Sequence, residues 1–341
     1  MASVHPARFG LVLALACALL AGLALASLAI GRFPVGFGEV ARSLAAAMAG
    51  HASGLAANVD AVIREVRAPR VLAAMLVGAA LSGAGAAFQS LFKNPLVSPD
   101  ILGVSAGCAL GAGAAVLLAL PIAAVQALAF GGGLLAVALV VAIGTWVGGR
   151  DPLLTLVLTG VVVGSLFGAG IALVKLVADP YNELPAITFW LLGSFSSAGP
   201  REAAAALVPA AIGIVPLALL RWRVDALSLP EDEARSLGLA VTPLRIAVIA
   251  CATLATAGSV ALAGTIGWVG LVIPHAARLI AGAAFARVLP LSLVLGAAFM
   301  LVVDTVCRTA FPIEVPPGVA TALIGTPAFI ALLALSFRRS A

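Results

Sequence analysis

The sequence predicts an all-α polytopic membrane protein with roughly ten transmembrane helices. Composition and charge placement carry that fold class. Of 341 residues, 63% are hydrophobic and only 10% are charged, with a mean hydropathy of +1.20. A soluble domain is nearer half apolar and a quarter charged. The apolar residues also fall in runs of about 20, the length that crosses a bilayer core, and the charges cluster in short stretches between them. A soluble enzyme, a disordered chain and a fibrous repeat are thereby excluded, and residues 1–341 read as a single transmembrane domain.

The first helix is expected at 9–31. Arg8 precedes an apolar run from Phe9 to Ile30, too long for the apolar region of a signal peptide. Residues 32–68 read as a loop on the translocated side. Helices follow at 69–91, 101–120, 123–147, 153–178 and 201–221. Gly160, Gly164 and Gly168 give one of them a face of small residues for close packing. Residues 222–243 form the most polar stretch: Pro230 and three acids, Glu231, Asp232 and Glu233, read as a helix start, and Gly238 as its stop. The last helices are expected at 244–264, 266–280, 289–308 and 318–337. The segment 266–280 is short and interrupted by Gly267, Gly270 and Pro274. Asn94-Pro95 and Ile273-Pro274-His275 break helices beside polar residues, as transporters do along their pathways. Ala80-Leu81-Ser82-Gly83 and Ala261-Leu262-Ala263-Gly264 form a loose internal echo.

An even helix count places both termini on one side, and Arg8 with Arg338 and Arg339 marks that side as cytoplasmic. Eleven of the 19 Lys and Arg then lie inside, Arg150 among them, and eight outside. The run Arg64, Arg67, Arg70 opposes the orientation signal on the translocated side and calls for its own explanation.

The net charge of +5 does not point to nucleic acid, since the basic residues are scattered at helix ends and only Lys93 and Lys175 are lysines. Neither lysine belongs to a phosphate-cradling Gly-Lys-Ser/Thr loop. Cys17, Cys108, Cys251 and Cys307 lie in apolar runs without metal or pairing spacing, and read as small core residues. Gly103-Val104-Ser105-Ala106-Gly107 matches the serine-hydrolase elbow, but no strand precedes it, so it reads as a helix entrance. Asp304 and Arg308, spaced i,i+4, read as an ion pair near the headgroups. His275 reads as a helix-end polar residue. No catalytic residue and no metal site are expected.

In order along the chain stand Arg67-Ala68-Pro69-Arg70, Gly78-Ala79-Ala80-Leu81 with Gln89, Asn94-Pro95-Leu96, Leu102 through Gly107, Phe189 through Ser194, Ser236-Leu237-Gly238, Gly270 through Arg278, and Pro316-Pro317-Gly318 through Gly325-Thr326-Pro327. Together they resemble the permease family of ATP-driven importers for iron chelates, haem and vitamin B12, the FecCD-type permeases of type II importers. The resemblance covers nearly the whole chain from Arg64 onward.

It implies a bacterial inner-membrane permease of ten helices that pairs with a second copy of itself. Two cytoplasmic ATPase subunits that bind the ATP and a periplasmic substrate-binding protein complete the assembly. No cofactor belongs to this chain. Segment 222–243 becomes the cytoplasmic coupling loop, with Leu229, Glu231, Asp232, Glu233, Ser236, Leu237 and Gly238 engaging the ATPase. Pro230 stands where the family commonly has Gly. Asn94, Leu96, Leu153 and Leu154 become the cytoplasmic gate, and Arg67, Arg70 and Arg308 receive carboxylates of the binding protein. The expected cargo is a ferric siderophore or haem, with a corrinoid or a molybdate-type oxyanion as alternatives. Outside the family stand a secondary transporter and an intramembrane serine protease using Ser105.

Overall fold

The structure, a computed structural model, describes the backbone of residues 6–149 and 151–340. Arg150, counted on the inner side above, lies outside the described residues, as do the side chains of Arg338 and Arg339. Among the described residues there is no strand. The helices are α1 (Pro6–Ala29), α2 (Phe37–Ala49), α3 (Ala57–Ala61), α4 (Ala68–Leu91), α5 (Val104–Leu117), α6 (Ile122–Val147), α7 (Pro152–Val177), α8 (Glu183–Leu191), α9 (Pro200–Leu219), α10 (Arg221–Ala226), α11 (Glu231–Ser236), α12 (Val241–Ala263), α13 (Val269–Ala281), α14 (Phe285–Thr309) and α15 (Pro317–Ser340). A π-helical turn at Val62–Arg67 leads into α4, and a 3-10 turn at Pro99–Leu102 leads into α5.

The ten expected spans correspond to α1, α4, α5, α6, α7, α9, α12, α13, α14 and α15. Among the described residues seven segments are long and apolar enough to cross a membrane, while α5, α13 and the apolar part of α15 are shorter. The 13 residues of α13 rise about 20 Å, less than the ~30 Å hydrocarbon core. Its ends are irregular: Trp268 opens it at φ 71° and Gly282 closes it at φ 83°. Non-helical backbone at such depth is tolerated where protein covers it. Trp268 is covered by Phe329 of α15, their ring centroids 6.2 Å apart.

The bundle is built around α4, whose apolar stretch is 78% buried, with α12 at 72% and α14 at 61%; α1 and α7, at 17%, lie at the periphery. Small residues make this centre possible. A Cβ on Gly78 would fall on the backbone of Gly296 in α14, and one on Gly85 on the backbone of Gly270 in α13. Across the same contacts the Ser82 hydroxyl donates to the Ser292 carbonyl at 2.7 Å, and Gln89 Nε2 to the Leu271 carbonyl at 3.1 Å. The two halves of the internal echo are not structural equivalents: Gly83 lies inside α4, whereas Gly264 ends α12 at φ 70°.

Segment 32–68, expected as a loop, is largely helical. In α2 the Glu39 carboxylate accepts from the Gly36 N–H at 2.8 Å, Gly50 closes the helix at φ 69°, and Val40 and Ser43 are buried. These are ordinary start and stop signals; the charges of Glu39 and Arg42 hid the helix from a hydropathy reading. Helix α8 was also missed. Asp179 precedes it and accepts from the backbone N–H groups of Tyr181 and Asn182 at 2.9 and 2.8 Å, an Asx turn that starts the helix.

Candidate functional site

The residues singled out by sequence separate to the two ends of the bundle. Arg67, Arg70 and Arg308 gather at one end, where α1 and α14 finish and α4 begins. The turns expected as the gate and the 222–243 segment lie at the other.

At the first end all three arginines already have partners within the chain. Arg67 is 6% exposed, and its Nη1 donates to the carbonyls of Leu28 and Ala29 at 2.7 and 2.8 Å. The C-terminal carbonyls of α1 have no helical partners of their own, so this guanidinium caps that helix. Arg308 does the same from α14, donating to the Ile30 carbonyl at 2.7 Å and to the Ser27 carbonyl at 2.5 Å. Arg70 carries the charge pairing. Its Nη2 lies 2.7 Å from Asp304 and 2.5 Å from Glu314, with side-chain exposures of 13% for Arg70, none for Asp304 and 30% for Glu314. Arg308 Nε lies 3.5 Å from Asp304. The expected Asp304–Arg308 pair is therefore present, but Arg70 is the closer partner. Glu314 was missed by sequence reasoning; three arginines at one end of the bundle beside one buried acid were the signal that called for a second carboxylate. Arg64 stands apart, paired with Asp60 at 3.1 Å.

At the opposite end, α11 protrudes between α10 and α12. Glu231 faces two arginines, Arg235 at 2.5 Å and Arg245 at 2.9 Å, and Ala234 packs inward. Asp232 and Glu233 are exposed. Ser236 donates to the Glu233 carbonyl at 2.7 Å, and Gly238 ends the turn at φ 80°. Of the two leucines expected as anchors, Leu237 is 64% exposed. Leu229 is half-buried, and its carbonyl accepts from Lys93 Nζ at 2.8 Å. The segment thus presents an acidic surface with Trp222 and Leu237 exposed, held by Lys93 to the turn that follows α4.

That turn carries Asn94 and Leu96. Asn94 Oδ1 accepts from the Leu96 N–H at 2.9 Å, so Asn94 shapes the turn, while Leu96 is 50% exposed. At the start of α7, Asp151 Oδ1 accepts from the N–H groups of Leu153 and Leu154 at 3.0 and 3.2 Å, an N-cap. Leu154 is 55% exposed, and Leu153 packs against the core. Each turn therefore offers one exposed leucine. Between the ends, α7 presents an apolar exposed face of Leu158, Val161, Val162, Leu166, Leu173 and Leu176.

The remaining candidates read structurally. The Ser105 hydroxyl donates to the Asp100 carboxylate, not to a base histidine, and Gly103 opens α5 at φ 75°. Cys108 and Cys307 are buried, and no metal-holding group of His, Cys, Asp or Glu occurs among the described residues.

Residues 18–335 match the FecCD transport family. The chain is 41% identical over 276 residues to a probable iron chelatin transport system permease protein of Helicobacter pylori, spanning 81% of this chain and 83% of that one. It is 37% identical over 327 residues to the molybdate import system permease protein MolB of Haemophilus influenzae, spanning 94% and 93% of the two chains. Among solved structures it is similar to an inward-facing ABC transporter assigned to the metal-chelate type, with a TM-score of 0.85, 35% identity, and coverage of 95% of this chain and 98% of that one.

Proposed function

The chain belongs to the FecCD transport family, and from that membership we propose that it carries a metal chelate, a ferric siderophore or haem, from a periplasmic binding protein to the cytoplasm. It is a multi-span ABC importer permease and a transport subunit. In the proposed assembly two copies sit in the bacterial inner membrane with both termini cytoplasmic, and two ATPase subunits supply the energy. The observation that carries the reading is the exposed acidic helix α11, closed by the exposed Leu237, at the end of the bundle that holds both proposed gate turns. A permease that worked alone would have no use for an apolar anchor presented to water there. The similarity to the iron chelatin permease, 41% identical over 276 residues, supports the chelate reading.

The cargo is tested on the reconstituted complex by measuring ATP hydrolysis with loaded binding protein. Ferric chelates or haem should stimulate it. Stimulation by molybdate or a corrinoid alone would overturn the chelate reading.

Leu96 and Leu154 close the inner gate in this account by apolar contact and exclusion of water. Replacing both with Gly should raise ATP-independent flux of the chelate through liposomes well above background. Flux at background in the double variant would place the gate elsewhere.

At the outer end, carboxylates of the binding protein reach Arg70 in competition with Glu314. Glu314→Gln removes the less buried competitor and leaves Arg70 paired with Asp304. Exposed pairs contribute about 0.2–1 kcal/mol, so docking at low salt should tighten a few-fold, with the gain vanishing at high salt. Surface plasmon resonance across a salt series reads this. Weaker docking of Glu314→Gln would make Glu314, and not the arginines, the recognised group.

A further inference from the structure

The 3-10 turn Pro99–Leu102 is held deep in the bundle by two close backbone contacts. A Cβ on Gly160 of α7 would fall on the Ile101 carbonyl. Gly160 lies eight residues beyond Pro152, where α7 begins, a rise of about 12 Å. On another side, a Cβ on Gly270 of α13 would meet the Leu81 carbonyl at 2.9 Å and Pro99 at 3.6 Å. Leu81 lies ten residues before Leu91, where α4 ends, about 15 Å along the helix. Both helices are measured from the end of the bundle that holds the proposed gate turns. They agree in placing this 3-10 turn near the middle of a hydrocarbon core ~30 Å thick.

Asp100 stands in that turn and is exposed. No ion pair among the described residues includes it, and its carboxylate accepts from the neutral Ser105 hydroxyl. An Asp has no long stem with which to reach the headgroups, as Lys and Arg do. Ionisable groups at this depth are costly in lipid and face a water-filled cavity or the interior of an assembly. The position of Asp100 says which cavity. Leu154 stands six residues before Gly160 in α7, about 9 Å nearer the bundle end, and Leu96 stands four residues before Asp100. The carboxylate therefore lies a short step deeper in the membrane than the two gate leucines.

We propose that Asp100 is the fixed negative charge of the transport route, in water just above the gate leucines, and that it favours neutral or cationic ferric chelates over anionic ones. The charge preference rests on the transport reading above; the placement of the charge does not. In the two-copy assembly the cargo passes two such carboxylates, and rings of Asp or Glu select cations in pores by the same field. Ser105 positions the group by donating to it.

Two readouts on the full-length chain in nanodiscs need no cargo. Asp100→Cys should react with a membrane-impermeant methanethiosulfonate reagent, while the parent, whose exposed Cys17 lies on the peripheral α1, should not. The infrared difference between parent and Asp100→Asn at neutral pH should show the carboxylate stretch of an ionised acid. A third readout uses the reconstituted complex: uptake of a cationic against an anionic ferric chelate, with the same binding proteins throughout. Asp100→Asn should lower that ratio about fivefold, the effect of one unit charge acting through water. Asp100→Glu should keep the parental ratio, which a merely structural role would not require. A parent that takes up no chelate overturns the transport reading and with it the charge preference, while labelling and the infrared band still decide where the charge lies. Labelling of Asp100→Cys no greater than the parent's, the carbonyl stretch of a protonated acid, or an unchanged uptake ratio in a folded Asp100→Asn would overturn the proposal.

Discussion

Arg70→Gln is expected to destabilise the protein by about 3–5 kcal/mol, the cost of removing one partner from a buried ion pair. Asp304 is fully buried, and Arg70 is its closest counter-charge, at 2.7 Å. Arg308, at 3.5 Å, spends its Nη groups on Ser27 and Ile30 of the α1 terminus and cannot fully take over. A neutral Gln would leave Asp304 with little compensation in a low-dielectric site. Adding Asp304→Asn removes the stranded charge, so the double variant should recover most of the loss. Glu314→Gln, at a carboxylate that keeps partial contact with water, should cost about 1 kcal/mol or less. Thermal unfolding of the parent, Arg70→Gln, Asp304→Asn and the variant carrying both forms a double-mutant cycle. Additive effects of Arg70→Gln and Asp304→Asn would mean that the pair does not hold α4 to α14.

Leu237→Asp should abolish coupling of transport to ATP hydrolysis while leaving the permease folded. Leu237 is 64% exposed and packs on nothing that the fold needs, so thermal stability should change by no more than about 0.5 kcal/mol. In the groove of an ATPase the same side chain becomes an anchor of the helix-in-groove kind. Burying a Leu contributes about 1.5–3 kcal/mol, and an Asp in its place leaves a charge in an apolar site with no partner. Together these should cost the complex more than a hundredfold in affinity. ATP hydrolysis stimulated by loaded binding protein, measured beside the melting temperature, separates the two effects. Parental coupling in a folded variant would remove α11 from the ATPase contact.

The bundle itself was legible because its signal is local. Runs such as 69–91 and 123–147 appear in the structure within a residue or two as α4 and α6, since each needs only its own residues to be apolar. Helices α2 and α8 are amphipathic or short and carry charges, so hydropathy passed over them although Gly36, Glu39 and Gly50 mark the first. Which end of the bundle each candidate residue occupies was legible, but its pairing was not. That Arg67, Arg70 and Arg308 share one end of the bundle was readable, yet what each one binds depends on chain packing. Arg70 and Asp304 are separated by 234 residues, and the i,i+4 spacing of Asp304 with Arg308 suggested the weaker contact. Leu229 and Leu237 looked alike as anchors; only packing shows that Leu229 is drawn inward beside Lys93.

The central claim is that this chain moves a chelate only when an ATPase drives it. Its most direct test is uptake of a radiolabelled ferric chelate into proteoliposomes that contain the chain, its partner ATPase and the loaded binding protein. The account predicts accumulation with ATP, none with a non-hydrolysable analogue, and none when the ATPase is omitted. Accumulation driven by an ion gradient across liposomes lacking the ATPase would contradict it and make the protein a secondary transporter.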